Sequence, residues 1–214
     1  TNSISEAAKI KSSMKKVIAF VTGGYSGEAE VSYKSAITIE AHIDQSKYEV
    51  YRIDITPAAW FHTTSDGKRI PVDRNDFSLR ANGKKIVFDA VLIGIHGTPG
   101  EDGKLQGYFD LMNLPYTSCN AATSALTFNK RYTVAVAAFA GINVSRSMHL
   151  FKHEKPAASE VLEKLKLPVF VKPNNGGSSI GMSKVSRPEE MAAALEKALK
   201  EDDQVLVEEF ISGR

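Results

Sequence analysis

At 214 residues the chain has room for one large or two small cores, and 43% hydrophobic with 24% charged residues is an ordinary globular balance. The formal net charge of +2 is close to neutral, and the lysines are dispersed apart from short clusters such as Lys15-Lys16 and Lys84-Lys85, which argues against a nucleic-acid partner. The lone Cys119 excludes an intrachain disulfide and suits a reducing cytoplasm; no apolar run approaches the ~18 to 20 residues needed to span a bilayer, so no membrane partner is expected.

Residues 1–13 are polar without a hydrophobic centre, so they are not a secretory signal and read as a tag remnant or disordered lead. Met14-Lys15-Lys16-Val17 looks more like the start. Residues 17–21 form a short apolar strand broken by Gly23-Gly24, and Val31, Ala36, Ile37 and residues 39–43 lie in a helical stretch. Residues 48–55 alternate as a strand does. Two β-hairpins are expected next, 60–72 around Asp66-Gly67 and 77–88 around Asn82-Gly83, because both dipeptides tolerate positive φ. They read as an insertion between core elements. Residues 90–95 form a buried strand, and Leu105, Tyr108, Phe109 and Met112 recur at the spacing of one helical face. This alternation predicts an α/β, doubly wound domain over residues 14–118.

A second domain is expected over residues 119–214. A helix from about 121 to 140 stops at Gly141, a strand runs near 143–150, and a helix from Lys155 leads into an apolar strand at 169–171. A short strand follows at 182–186, Pro188 opens a helix through residues 190–200, and residues 204–211 form a last apolar strand. A chain ending directly after a buried strand leads us to expect more protein in the natural gene.

Leu167 to Gly181 is the most informative stretch: a buried strand, then Lys172, then Gly176-Gly177-Ser178-Ser179. Lysine supplies a point charge for phosphate oxygens, glycines let backbone N–H groups turn toward an anion, and the serines add hydroxyl donors. The lysine precedes the glycines and no GK[ST] follows, so this is not a Walker A loop. The plainer reading is a flexible hairpin loop. Residues 23–32 link the first strand to the first helix, where open α/β sheets hold ligands; the G-x-G-x-x-G order is missing, and Glu28 would oppose a pyrophosphate but match an ammonium group. Glu28 could equally just complement the helix dipole. His96 to Gly103 follows the strand at 90–95, so two strand ends converge on one crevice; His96 could orient a substrate, or the run could be a structural turn with Glu101 and Asp102 capping the next helix. Lys130, expected inside a helix, is equally a solvated lysine.

Four runs taken together, Gly23-Gly24-Tyr25-Ser26-Gly27-Glu28-Ala29-Glu30-Val31-Ser32, His96 through Gly107, Asn129-Lys130, and Val171-Lys172-Pro173 through Met182, resemble the D-alanine:D-alanine ligase family of the ATP-grasp superfamily. The resemblance implies a Rossmann-like (pre-ATP-grasp) first domain and the small α+β subdomain of an ATP-grasp fold, with the C-terminal subdomain absent and the chain an N-terminal fragment inactive alone. It implies ATP and Mg2+ as cofactors, with the magnesium ligands in that missing domain, D-alanine as substrate, a cytoplasmic enzyme of peptidoglycan synthesis, and a homodimer. Residue by residue, Glu28 and Ser178 would be catalytic, and Glu28, Val31, Ser32 and His96 would bind substrate. Lys130, Phe170, Lys172, Gly177, Ser178, Ser179, Met182, Glu208, Glu209, Phe210 and Ile211 would bind ATP. Two other readings compete: another ATP-grasp carboxylate-amine ligase, and a non-catalytic nucleotide- or dinucleotide-binding module. The second substrate stays open between D-alanine, D-lactate and D-serine.

Overall fold

The structure of the protein is a computed structural model that describes residues 15–213, so the polar lead at 1–13 lies outside the described residues. The chain divides into two compact units, up to Ala121 and from Ala122 onward.

In the first unit, β1 (Lys16–Gly23) runs parallel to β2 (Tyr48–Ile55) on one side and to β7 (Ala90–Ile93) on the other. These three strands are the parallel core that the alternation of elements predicts. The two hairpins do not stand apart as an insertion: β3 (Trp60–Thr63) pairs antiparallel with β2, and β4 (Arg69–Asp73), β5 (Ser78–Ala81) and β6 (Lys84–Ile86) continue outward. Among the described residues the result is a mixed seven-stranded sheet ordered β6-β5-β4-β3-β2-β1-β7, so the doubly wound expectation is corrected to a parallel centre with an antiparallel wing. The free edge of β2 offers unpaired N–H and C=O groups, and the hairpins satisfy them. Asn82 and Gly83 take φ of 50° and 74°, the left-handed pair that a tight hairpin turn demands.

The wing also feeds the core. Ala19, Val21, Ile53, Ile55 and Val91 pack against Leu105 and Phe109 of α2 (Lys104–Leu111), and the wing's Phe77 meets Phe109 edge to face with ring centres 4.9 Å apart. Strand alternation turns Phe20 to the opposite face, toward α1 (Ala29–His42), where Phe20 and Ala36 are fully buried.

The second unit is an antiparallel sheet ordered β10-β9-β11-β8, from β8 (Ser147–Phe151), β9 (Val169–Pro173), β10 (Ser183–Val185) and β11 (Gln204–Glu209). Its interior strand β9 is the apolar run that reads as too hydrophobic for an edge. Val169, Val171, Val205 and Val207 face α5 (Ala158–Lys164) and α6 (Met191–Glu201), burying Val161, Met191, Leu195 and Ala198 between the layers. At the start of this unit the single helix expected over 121–140 is two, α3 (Ala121–Phe128) and α4 (Lys130–Phe139). Asn129 breaks them: its backbone is extended, and its side chain accepts the Tyr132 N–H at 3.0 Å as an N-cap. Lys130 is therefore the first residue of a helix rather than an interior one. The helix expected from Lys155 starts three residues later, because Lys155 takes a left-handed φ of 50° before Pro156, which disfavours the helical region for its predecessor. The last strand ends at Glu209, leaving Phe210 and Ile211 beyond it.

Candidate functional site

In the first unit the site is built by neighbouring parallel strands. β1 and β7 end side by side, and the loops leaving them are stitched together by the Tyr25 N–H, which donates to the Thr98 carbonyl at 2.8 Å. Glu28 sits at the N-cap position of α1 with only 3% of its surface exposed. The helix N-terminus favours its negative charge there. Gly97 lies against this carboxylate: a Cβ on Gly97 would fall 2.6 Å from Glu28 Oε2 and 2.6 Å from Ser26 Oγ, and its φ of +74° also suits glycine.

Glu28, Ser32 and Ser35 recur at i, i+4 and i+7, one face of α1. Ser32 is fully buried; its hydroxyl donates to the Glu28 carbonyl at 3.3 Å and accepts the His96 N–H at 2.9 Å. Ser35 Oγ lies 3.0 Å from His96 Nε2. The loop is also tied to itself. The N-cap of α2 is Gly103 rather than either acid: Asp102 accepts the Lys104 N–H at 3.3 Å from the position before that cap, and Glu101 turns back to accept the Gly97 N–H at 2.6 Å. The buried Gln106 donates to the Gly100 carbonyl at 2.6 Å. Beside His96 opens a cleft of about 650 Å³ lined by Ser35, Thr38, Glu101, Thr117 and Ser118. Glu28 and His96 are thus brought to one crevice, with Val31 half-buried on the same helix.

In the second unit β9 turns Phe170 and Lys172 to the sheet face away from α5 and α6, and β11 turns Leu206 and Glu208 to the same face. Lys172 is not a charge leaving the strand end toward solvent: it lies within β9, half-buried, and its ammonium pairs with the Glu208 carboxylate across the β9–β11 ladder. Phe210 sits 6.0 Å from the Phe170 ring, and Lys184 places its ammonium 4.0 Å from the centre of the Phe210 ring. Sequence reasoning missed Lys184, which is legible only from its register opposite Phe170. Glu209 alternates away from Glu208, accepting the Lys166 N–H at 2.8 Å, so the side chains of the two acids do not act together. Ile211 is 65% exposed. On this face His149 shares a hydrogen bond of 2.9 Å with Gln204, and burial, helped by the Arg131 charge, holds its pKa below the ordinary histidine value.

The glycine-serine loop has a clamped base. Asn174, fully buried, receives the Lys130 N–H on its carbonyl at 3.0 Å and the Arg131 N–H on its side chain at 2.9 Å. Asp202 Oδ2 accepts the Asn175 main-chain N–H at 2.6 Å and the Asn175 side-chain amide at 2.9 Å. Lys130 Nζ donates to the Gly176 carbonyl at 2.6 Å. At the tip Ser178 and Ser179 are exposed with φ of 49° and 57°, Gly177 is half-exposed, and Met182, half-buried, closes the turn with a hydrogen bond to Ser179. Of these anchors Asn174, Asn175 and Asp202 come together only in the fold. Among the described residues no group of three or more His, Cys, Asp or Glu is placed to hold a metal ion, and no helix is long and apolar enough to cross a membrane.

The first unit is thus an α/β layer with the buried Glu28 carboxylate at its strand ends, and the second an antiparallel sheet whose strand β9 carries Lys172 and leads into the glycine-serine loop. The family model described as D-ala D-ala ligase N-terminus matches residues 17–119, and that described as D-ala D-ala ligase C-terminus matches residues 129–214; the chain belongs to the D-alanine–D-alanine ligase family. It is 46% identical over 200 residues to D-alanine--D-alanine ligase of Phocaeicola vulgatus, covering 94% of this chain and 62% of the relative, and 44% identical over 198 residues to that of Flavobacterium johnsoniae, covering 92% and 61%. The chain therefore spans about three-fifths of the length of the curated relatives it matches. Among solved structures, VanG D-Ala:D-Ser ligase from Enterococcus faecalis aligns with a TM-score of 0.78 at 34% identity, over 94% of this chain and 64% of that one. D-alanyl-alanine synthetase A from Vibrio cholerae aligns with a TM-score of 0.79 at 29% identity, over 94% and 60%.

Proposed function

We propose that the protein is an ATP-dependent ligase that joins two D-alanines into D-alanyl-D-alanine for peptidoglycan precursors. The observation that carries this reading is the buried Glu28 carboxylate beside His96, in a chain whose relatives are D-alanine--D-alanine ligases. A buried carboxylate at a helix N-terminus matches the ammonium of an amino acid, and such a charge-assisted contact orients the substrate for attack.

In the proposed reaction the carboxylate oxygen of the first D-alanine attacks the γ-phosphorus of ATP and ADP leaves, giving an acyl phosphate. The amine of the second D-alanine, having lost a proton, attacks the carbonyl carbon and expels phosphate. Glu28 holds the first ammonium with Val31 beside it, Ser32 supports His96, and His96 sets the protonation of the incoming amine. Ser178, with Gly177 and Ser179, covers the reacting phosphate from the loop. Lys130 and Lys172 neutralise phosphate charge, which needs Lys172 to exchange Glu208 for a phosphate oxygen; phosphoryl transfer asks mainly for such electrostatic help. Phe170, Met182, Phe210 and Ile211 pack the adenine, with Glu208 and Glu209 at its polar edge, Glu209 through its main chain. Magnesium would shield the phosphates when bound, but the described residues hold no cluster fitted to it, and no step is assigned to it. A cytoplasmic location and a homodimer belong to the same proposal, and sedimentation velocity tests the dimer.

A second reading, D-serine as the incoming amine, is favoured by the likeness to the D-Ala:D-Ser ligase. Phosphate release from ATP, followed with D-alanine alone and with D-alanine plus D-serine or D-lactate, with products weighed by mass spectrometry, tests both. Release that ignores D-alanine would point instead to another carboxylate-amine ligase, and no release with retained ATP binding to a nucleotide-binding module.

A further inference from the structure

The His96 ring is held from the same helix that carries Glu28, and by a residue to which no role has been given above. Ser32 anchors the main chain of His96, and Ser35, one turn further along the same face, reaches ring nitrogen Nε2 at 3.0 Å. A helical serine usually turns its hydroxyl back to the carbonyl four residues earlier; here that hydroxyl goes across to the histidine. Nε2 is the only ring nitrogen of His96 with a hydrogen bond among the described residues, so one nitrogen is tied and Nδ1 is not. An imidazole so tied is held in one orientation, and the hydroxyl can donate to Nε2 or accept from it.

We infer that Ser35 is a positioning residue of the reaction: its bond to Nε2 holds one ring orientation of His96, so that Nδ1 is the nitrogen presented to the substrates. This rests on the ligase reading for its consequence, but the ring lock itself is a property of the ligand-free protein. The ionisable groups around the ring are the Glu28 carboxylate on α1, which lies against Gly97, and the Glu101 carboxylate, which lines the same cleft. Both are shared by parent and variant, so a change on altering Ser35 is assigned to Ser35.

The variant is Ser35→Ala, which keeps the helix because alanine is the stronger helix former. Long-range 1H–15N spectra of the ligand-free protein, with His96 assigned by His96→Gln, should show the His96 ring-nitrogen signals moved in Ser35→Ala, where Nε2 has lost its partner. The pH profile of kcat for D-alanine-dependent phosphate release should shift with it, kcat falling about tenfold, a modest part of what a positioned proton-transfer group supplies, with KM for ATP unchanged. Ser35→Thr, which keeps a hydroxyl, should restore both. Unchanged His96 spectra in Ser35→Ala would overturn the lock, and changed spectra with an unmoved pH profile would overturn its role in the reaction. Absence of D-alanine-dependent turnover in the parent would instead overturn the ligase reading and, with it, the role of the lock in a reaction.

Discussion

The Glu28 crevice and the glycine-serine loop solve opposite problems. The crevice is closed by packing: Glu28 and Ser32 are buried, Gly97 is pressed against the carboxylate, and His96 is bound twice to α1. The loop is fastened at its base by Asn174, Asn175, Asp202 and Lys130, and Ser178 and Ser179 lie exposed on it. A small amino acid recognised by one ammonium needs a fixed geometry, because a displaced charge loses a directional bond. A phosphate chain that changes shape during reaction is better met by a loop whose ends are set and whose tip can follow it.

The largest expected effect tests the rigid side. Glu28→Gln keeps the size but removes the charge, and a hydrogen bond to a charged partner contributes about 1.5–3 kcal/mol, so KM for the first D-alanine should rise roughly 10- to 100-fold with KM for ATP little changed. Titrating D-alanine in the phosphate-release assay measures it; an unmoved D-alanine dependence would remove Glu28 from the site. On the other side, Lys172→Met should weaken ATP binding and also destabilise the fold by about 1–3 kcal/mol, because Glu208 is left half-buried without its cation. The double variant Lys172→Met with Glu208→Gln should recover the melting temperature but not the nucleotide affinity, which isothermal titration separates.

Two glycine substitutions compare the regions directly. Gly97→Ala and Gly176→Ala both force a positive φ on alanine, at +74° and +113°, a strain of at least roughly 1–2 kcal/mol. Only at Gly97 does the new methyl meet a neighbour, the Glu28 carboxylate, whereas nothing lies within 4 Å at Gly176. Gly97→Ala should therefore raise KM for D-alanine several-fold beyond its loss of melting temperature, and Gly176→Ala should lower the melting temperature alone. The smallest effect is the acid response. His149 has a lowered folded pKa, so the unfolded chain takes its proton first; that stability is present above pH 6.5 and fades as the pH falls below it. Asp44, held down to about 2 mainly by Ser46 and then Lys47, contributes only above its ordinary 3.8 and loses that contribution toward pH 2. Circular dichroism should register loosening of the second unit before Trp60 fluorescence reports the first, and His149→Gln should remove the earlier step.

Local signals carried much of this. Asn82-Gly83 named its hairpin because only such residues accept two positive φ values in a row. Leu105 and Phe109 named the buried face of α2 by spacing, and Glu28 and His96 stood at strand ends, where parallel sheets leave their crevices. Lys130 was placed inside a long helix because Asn129 was read as helical; its cap geometry depends on the Tyr132 N–H that it accepts. Glu208 and Glu209, adjacent in sequence, were both expected to meet the nucleotide, and strand alternation sends their side chains to opposite sides.

By itself the sequence determined most of the elements, the two units' apolar faces and the residue types at the two glycine-containing loops, because periodicity, turn chemistry and charge act over a few residues. Only the tertiary structure decided that both hairpins extend the first sheet, that Lys172 is paired with Glu208, and that Ser35 holds His96 across 61 positions of chain. Those outcomes depend on which strand edges and which side chains meet after folding, and no local pattern encodes a contact between segments that distant.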